Sequence, residues 1–147
     1  MQVQDVMTHD VATVNPEESI QVAARLMADL DVGILPVGEN DRLVGMITDR
    51  DMVVRGMAEG FGPRTKIREL MTQDIKYCFL DQDIEDVALN MGDIQVRRLP
   101  VLDRDKRLVG ILSLCDIATS SDSDRASEAL SGISRPNAPP PMSVSLM

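Results

Sequence analysis

Two kinds of apolar pattern alternate along this chain. In one, apolar positions recur every three or four residues, which predicts amphipathic helices: Ile20, Ala23, Ala24, Met27 and Leu30 form one such stripe, and Ile84, Val87, Ala88 and Met91 form another. In the other, four or five apolar residues run together, as in Leu43-Val44-Gly45-Met46-Ile47 and Leu108-Val109-Gly110-Ile111-Leu112, which predicts short buried strands. Both runs switch abruptly to polar residues, Thr48-Asp49-Arg50-Asp51 after the first and Ser113-Leu114-Cys115-Asp116 after the second.

The patterns recur in order, so the chain is a tandem repeat. A shift of 64 residues places Met7 on Met71, Ile20 on Ile84, Met27 on Met91 and Leu35-Pro36-Val37 on Leu99-Pro100-Val101. A shift of 65 then places Leu43-Val44-Gly45 on Leu108-Val109-Gly110 and Asp51 on Asp116. Each repeat reads as a short helical lead-in, a brief strand (Val11 to Val14 in the first), a helix capped by Asn15 or Ser19, an antiparallel strand pair turning at Glu39-Asn40-Asp41, and a closing helix from Met52 to Ala58. The fold class is therefore α/β, built of β-α-β-β-α units. We place repeat 1 at residues 1–63, repeat 2 at 64–120, and a short helix with a flexible Pro-rich tail at 121–147. A unit of about 60 residues buries little surface, so neither repeat is expected to stand alone.

Composition narrows the chemistry. Aromatic residues make up only 2%, so the core is aliphatic. The net charge of -9 argues against a nucleic-acid surface. That charge is unevenly spread: residues 1–63 carry 11 acidic and 4 basic side chains, whereas residues 64–120 carry 10 and 9. The cations available to an anionic small molecule thus lie mostly in repeat 2. No stretch has the length of a membrane span and the polar start MQVQDVMTHD has no signal-like apolar run, so cytoplasmic residence is the expectation. Cys78, Cys115 and the single His9 do not make a metal cluster, and both thiols are expected to be free.

The strand-to-helix junctions hold the candidate chemistry. Thr48 and Asp51 are three residues apart, as are Ser113 and Asp116, so each pair lies on one side of a first helical turn. A carboxylate there can accept hydrogen bonds from both hydroxyls of a ribose, and the hydroxyl can donate to a phosphate oxygen. The same residues can equally serve as helix caps without touching a ligand. Arg50 can offset Asp49 or approach a phosphate, while Leu114 adds no charge at the matching place in repeat 2. Gly45 and Gly110 permit close backbone approach, either of a neighbouring strand or of a ligand.

The doubled set Val6-Met7-Thr8, Leu35-Pro36-Val37 and Leu43-Val44-Gly45-Met46-Ile47-Thr48-Asp49-Arg50-Asp51, with its counterparts in repeat 2, resembles a tandem cystathionine-beta-synthase (CBS) domain pair, or Bateman module, of the small stand-alone kind. The resemblance implies pseudo-two-fold symmetry within the chain, two clefts between the repeats, a homodimer, and adenosine-containing ligands: AMP, ADP, ATP, NAD or S-adenosylmethionine. It assigns the phosphate-side hydroxyl to Thr48 and Ser113 and the ribose carboxylate to Asp51 and Asp116. It lines the base slots with Thr13, Val14, Ile34 and Pro36 in one half and with Cys78, Phe79, Arg98 and Pro100 in the other. Arg97 and Arg98 are the most suggestive cationic pair, one of them facing inward or both forming exposed ion pairs.

The function expected is that of a non-catalytic regulatory or energy-sensing module acting on a separate protein. No P-loop, activated nucleophile or metal constellation supports an enzyme. The alternative is a ligand-free dimeric scaffold, with Met52, Val53, Met57 and Ile117 supplying the assembly face.

Overall fold

The computed structural model describes residues 1–120 and 132–133, so the expected helix at 125–130 and most of the expected Pro-rich tail lie outside the described residues. The chain forms two compact units, the first-repeat unit at Ala12–Ile75 and the second-repeat unit at Met1–Val11 together with the chain from Lys76. Each sequence repeat thus contributes its lead-in to the other repeat's unit. Among the described residues, no helix is long and apolar enough to cross a membrane.

In the first-repeat unit, helix α2 (Ile20–Leu30) precedes an antiparallel hairpin of β1 (Ile34–Glu39) and β2 (Arg42–Thr48). Helix α1 (Val3–Val6), the lead-in of the first repeat, belongs to the other unit. Ser19 caps α2 by accepting a hydrogen bond from the Val22 amide at 3.3 Å. Asn40 and Asp41 both take positive φ, the conformation that lets a two-residue turn match the twist of its strands. Ile20, Ala23 and Met27 of α2 pack with Val14, Leu35, Val37 and Ile47 into one core. Ala24 and Leu30, predicted on the same stripe, are exposed instead. The buried face of α2 is narrower than the spacing suggested.

The expected strand Val11 to Val14 reduces to a single parallel bridge between Val14 and Val37. The Val14 amide donates to the Pro36 carbonyl at 3.1 Å and the Gly38 amide to the Val14 carbonyl at 2.8 Å. Continuing that ladder either way would need an N–H from residue 36 or residue 16, and both are proline. In the second-repeat unit, leucine stands where Pro16 stands in the first. The Leu80 amide donates to Leu102 at 3.0 Å, and a true strand, β3 (Cys78–Phe79), forms parallel to β4 (Arg98–Leu102). Strand β5 (Leu108–Ser113) completes a three-stranded mixed sheet.

After β2 the chain winds as a π-helical turn, Asp51–Gly56, and a 3₁₀ turn, Met57–Glu59, stopped by Gly60 at φ 87°. This replaces the regular helix expected over Met52 to Ala58. The lead-in α3 (Ile67–Leu70) packs in the same unit. In the other unit α4 (Ile84–Ile94) buries Ile84, Val87, Ala88 and Met91 against Leu99, Val101 and Leu112, with Val3 and Met7 of the lead-in completing the core. Helix α5 (Leu114–Ala118) closes it. Ile117 is fully buried there and so cannot belong to an assembly face, whereas Val53 and Met57 are exposed.

Gly45 and Gly110 acquire a definite role. A methyl group at Gly45 would stand 2.8 Å from Met71 Sδ and 3.0 Å from the Thr72 carbonyl oxygen. At Gly110 it would stand 2.6 Å from Met7 Sδ and 2.8 Å from the Thr8 carbonyl oxygen. Each glycine therefore admits a lead-in segment, which then pairs by backbone hydrogen bonds, Met46 with Thr72 and Ile111 with Thr8. Of the two alternatives, close approach to a neighbouring strand is the one realised.

Candidate functional site

The two strand-to-helix junctions have the same geometry. The Thr48 amide donates to Asp51 Oδ2 at 3.0 Å and the Asp51 amide to Thr48 Oγ1 at 3.0 Å. The Ser113 amide donates to Asp116 Oδ2 at 2.9 Å and the Asp116 amide to Ser113 Oγ at 3.1 Å. Each pair is a reciprocal cap: two backbone donors that the turn would otherwise leave unpaired are satisfied by the two side chains. All four side chains remain partly exposed. The caps consume one carboxylate oxygen and the acceptor side of each hydroxyl, leaving the second oxygen and the hydroxyl proton for other partners. Asp51 Oδ1 lies 3.8 Å from Arg55, an i,i+4 pair on the surface.

Sheet register determines which predicted residues accompany each junction. Ile34 pairs with Thr48 across β1–β2, and Arg98 pairs with Ser113 across β4–β5. Opposed residues share a sheet face, and so do residues two apart, which puts Pro36 on the face of Thr48 and Pro100 on the face of Ser113. The proline rings are buried, leaving Ile34 and Arg98 as the accessible neighbours. Both Arg97 and Arg98 are exposed. The two junctions differ electrostatically in consequence. The first has an isoleucine opposite Thr48 and carries Asp49, whose carboxylate accepts from the Arg50 amide at 2.8 Å. The second has an arginine opposite Ser113 and no added acid.

The remaining predicted residues fall elsewhere. Val14 and Cys78 are core residues, 2% and 3% exposed. The Cys78 thiol lies 3.9 Å from the Pro100 carbonyl, and burial pushes its pKa up to about 12, so it stays protonated and unreactive. Thr13 and Val14 border a groove of about 510 Å³ along α2, whose wall continues through Glu18, Val22, Arg25 and Asp29. Thr48, Asp51, Ile34 and Pro36 do not line that groove, so the first-repeat candidates are not gathered into it.

Phe79 holds a different position from the one expected. The 64-residue shift that places Val14 on Cys78 places Thr13 on Tyr77, and the structure keeps that register, since Val14 bridges Val37 and Cys78 bridges Val101. Tyr77, omitted from the sequence-based set, is therefore the counterpart of Thr13, and the repeat arithmetic already contained that signal. Phe79 meets Tyr77 edge-on, with centroids 5.6 Å apart and rings at 89°. Arg104 covers Phe79 at 4.3 Å and forks onto Asp81 at 3.0 and 2.7 Å. Its guanidinium holds the Asp81 carboxyl below its ordinary range. Among the described residues no three His, Cys, Asp or Glu side chains converge as metal ligands.

The CBS domain profile matches residues 3–56 and 67–122. The chain is 41% identical over 136 residues to the CBS domain-containing protein YhcV of Bacillus subtilis, covering 92% of this chain and 96% of that one. Among solved structures it is similar to Hypoxic Response Protein I with two coordinated zinc ions, at a TM-score of 0.72 and 39% identity over 80% of this chain and 97% of the other. It is also similar to the CBS domain pair of protein MJ0100 in complex with 5-methylthioadenosine and S-adenosyl-L-methionine, at a TM-score of 0.69 and 28% identity over 80% and 93%. The described residues offer no counterpart to a zinc site built from three or more His, Cys, Asp or Glu ligands. Matched in both halves by one profile and along nearly its whole length by a relative of the same size, the chain belongs to the CBS-domain family as a tandem pair, a Bateman module of a non-catalytic regulatory type.

Proposed function

We propose that this protein is a cytoplasmic sensor that binds adenosine-containing ligands, AMP, ADP, ATP, NAD or S-adenosylmethionine, at the Thr48–Asp51 and Ser113–Asp116 junctions, and reports occupancy to a separate protein. The observation that carries the reading is the duplicated reciprocal cap: it holds each carboxylate rigidly while leaving one oxygen able to accept from ribose hydroxyls. The complex of the MJ0100 domain pair with two adenosine derivatives supports the ligand class. Arg98, opposite Ser113, favours polyphosphates in the second-repeat unit, and Asp49 disfavours them in the first. Binding regulates a partner only through different affinities for two arrangements of the protein.

A second reading, a dimeric scaffold without ligand, is favoured by the exposure of Val53, Val54, Met57 and Phe61, between 44% and 71%. Calorimetric titration of the five ligands into the wild-type chain and into Asp51→Ala and Asp116→Ala separates the two. The sensor reading expects saturable binding weakened by each substitution; no binding at millimolar ligand selects the scaffold.

A further inference from the structure

The two units share a fold but present different residues at the edge of the sheet face that carries the gripping junction. In the second-repeat unit, Arg98 and Pro100 of β4 share a face with Ser113 and Ile111 of β5. Cys78 points to the opposite, core face with Val101, so Tyr77, one residue earlier, falls on the Ser113 face. Tyr77 and Ser113 lie two strands and two residues apart, about 12 Å by strand spacing and rise. Tyr77 is 40% exposed and its ring is backed edge-on by Phe79, which Arg104 covers while paired to Asp81. The first-repeat unit offers Thr13 at the same place and no aromatic neighbour, since Asn15 stands where Phe79 does.

We propose that Tyr77 is a specificity-determining residue: its ring is a stacking platform for the planar base of a ligand whose ribose is held at Asp116, so a base adds more affinity in the second-repeat unit than in the first. This rests on the functional reading above. A buttressed, partly exposed tyrosine fits the role because stacking needs one open π-face and little side-chain entropy to lose. Arg104 is occupied by Asp81 and Phe79, so it stiffens the platform without competing for the ligand.

The composition supplies the assay. Tyr77 is the only tyrosine and there is no tryptophan, so intrinsic fluorescence reports this one ring. AMP should quench it on binding, whereas ribose 5-phosphate, which has the same sugar and phosphate but no base, should not. Calorimetry in the Asp51→Ala background, which leaves the second-repeat unit as the working site, should show Tyr77→Thr weakening AMP about tenfold. Ribose 5-phosphate binding should be unchanged and Tyr77→Phe should restore AMP affinity. AMP affinity within twofold of the parent in Tyr77→Thr, while Asp116→Ala abolishes binding, overturns the stacking role and leaves the functional reading standing. Failure of the wild-type chain to bind any of AMP, ADP, ATP, NAD or S-adenosylmethionine at millimolar concentration overturns both.

Discussion

Replacing Gly110 with alanine should pry the N-terminal lead-in away from β5. The added methyl would lie 2.6 Å from Met7 Sδ and 2.8 Å from the Thr8 carbonyl oxygen, both inside contact distance. The thioether end can swing aside, but the carbonyl belongs to a backbone pair: Thr8 donates to Ile111 at 2.9 Å and Ile111 donates back at 3.0 Å. Relieving the clash strains or breaks both bonds, worth about 0.5–1.5 kcal/mol each. Overpacking around Met7, itself 8% exposed, adds a cost of about 1–3 kcal/mol if the segment stays in place. The two routes are alternatives in part, so the net loss should be about 2–4 kcal/mol. Gly45→Ala meets the same kind of neighbours at 2.8 and 3.0 Å and should cost less. Urea unfolding followed by circular dichroism measures both. A loss below about 0.5 kcal/mol for Gly110→Ala, or a larger loss for Gly45→Ala, would refute the steric argument.

Other expectations are equally specific. Asp51→Ala and Asp116→Ala should each lose about 0.5–2 kcal/mol of stability through the broken cap, and the Asn variants, whose amide oxygen can still accept, should recover most of it in the same urea assay. Native protein at pH 8 should titrate one thiol per chain with a disulfide reagent, the exposed Cys115, and two after denaturation; two fast thiols in the native state would contradict the burial that raises Cys78 to about 12. Hydrogen bonds from Lys66 and then Arg68 hold the Glu17 carboxyl below its ordinary 4.5. Its contribution is thus present above pH 4.5 and lost as pH falls through the lower folded value. Glu17→Gln should be less stable than wild type at pH 7 by a small margin that closes in acid. A margin that widens in acid would reverse the assignment.

Much of this architecture was legible because it is written twice. The recurrence of Leu-Pro-Val and Leu-Val-Gly at nearly fixed spacing located both hairpins, and the Thr/Ser-x-x-Asp spacing located both junctions. Lead-in exchange was not legible: Met7 and Met71 align as equivalent residues, and nothing in their local sequence says which repeat each packs against. The prolines at 16 and 36 held the reason for the shortened first strand, but their effect depends on a register that only pairing reveals. The family resemblance puts Ile117 on an assembly face, whereas α5 is short and turns Ile117 inward, with Leu114 partly buried against the same core. Tyr77, the repeat counterpart of Thr13, falls outside the sequence-based candidates through a one-residue slip in transferring Thr13 and Val14 to the second repeat, which on a strand exchanges an exposed ring for a buried thiol.

The central claim, that the capped carboxylates grip a ribose, is tested most directly by titrating AMP into the wild-type chain and into the Asp51→Asn/Asp116→Asn double variant. Asparagine has one side-chain carbonyl oxygen, and the cap uses it, so the fold persists while the ribose acceptor is gone. Saturable AMP binding is expected for the wild-type chain, with binding at least about tenfold weaker in a double variant that unfolds at nearly the same urea concentration. Equal affinity in the two proteins, or no saturation of the wild type at millimolar AMP, would contradict it.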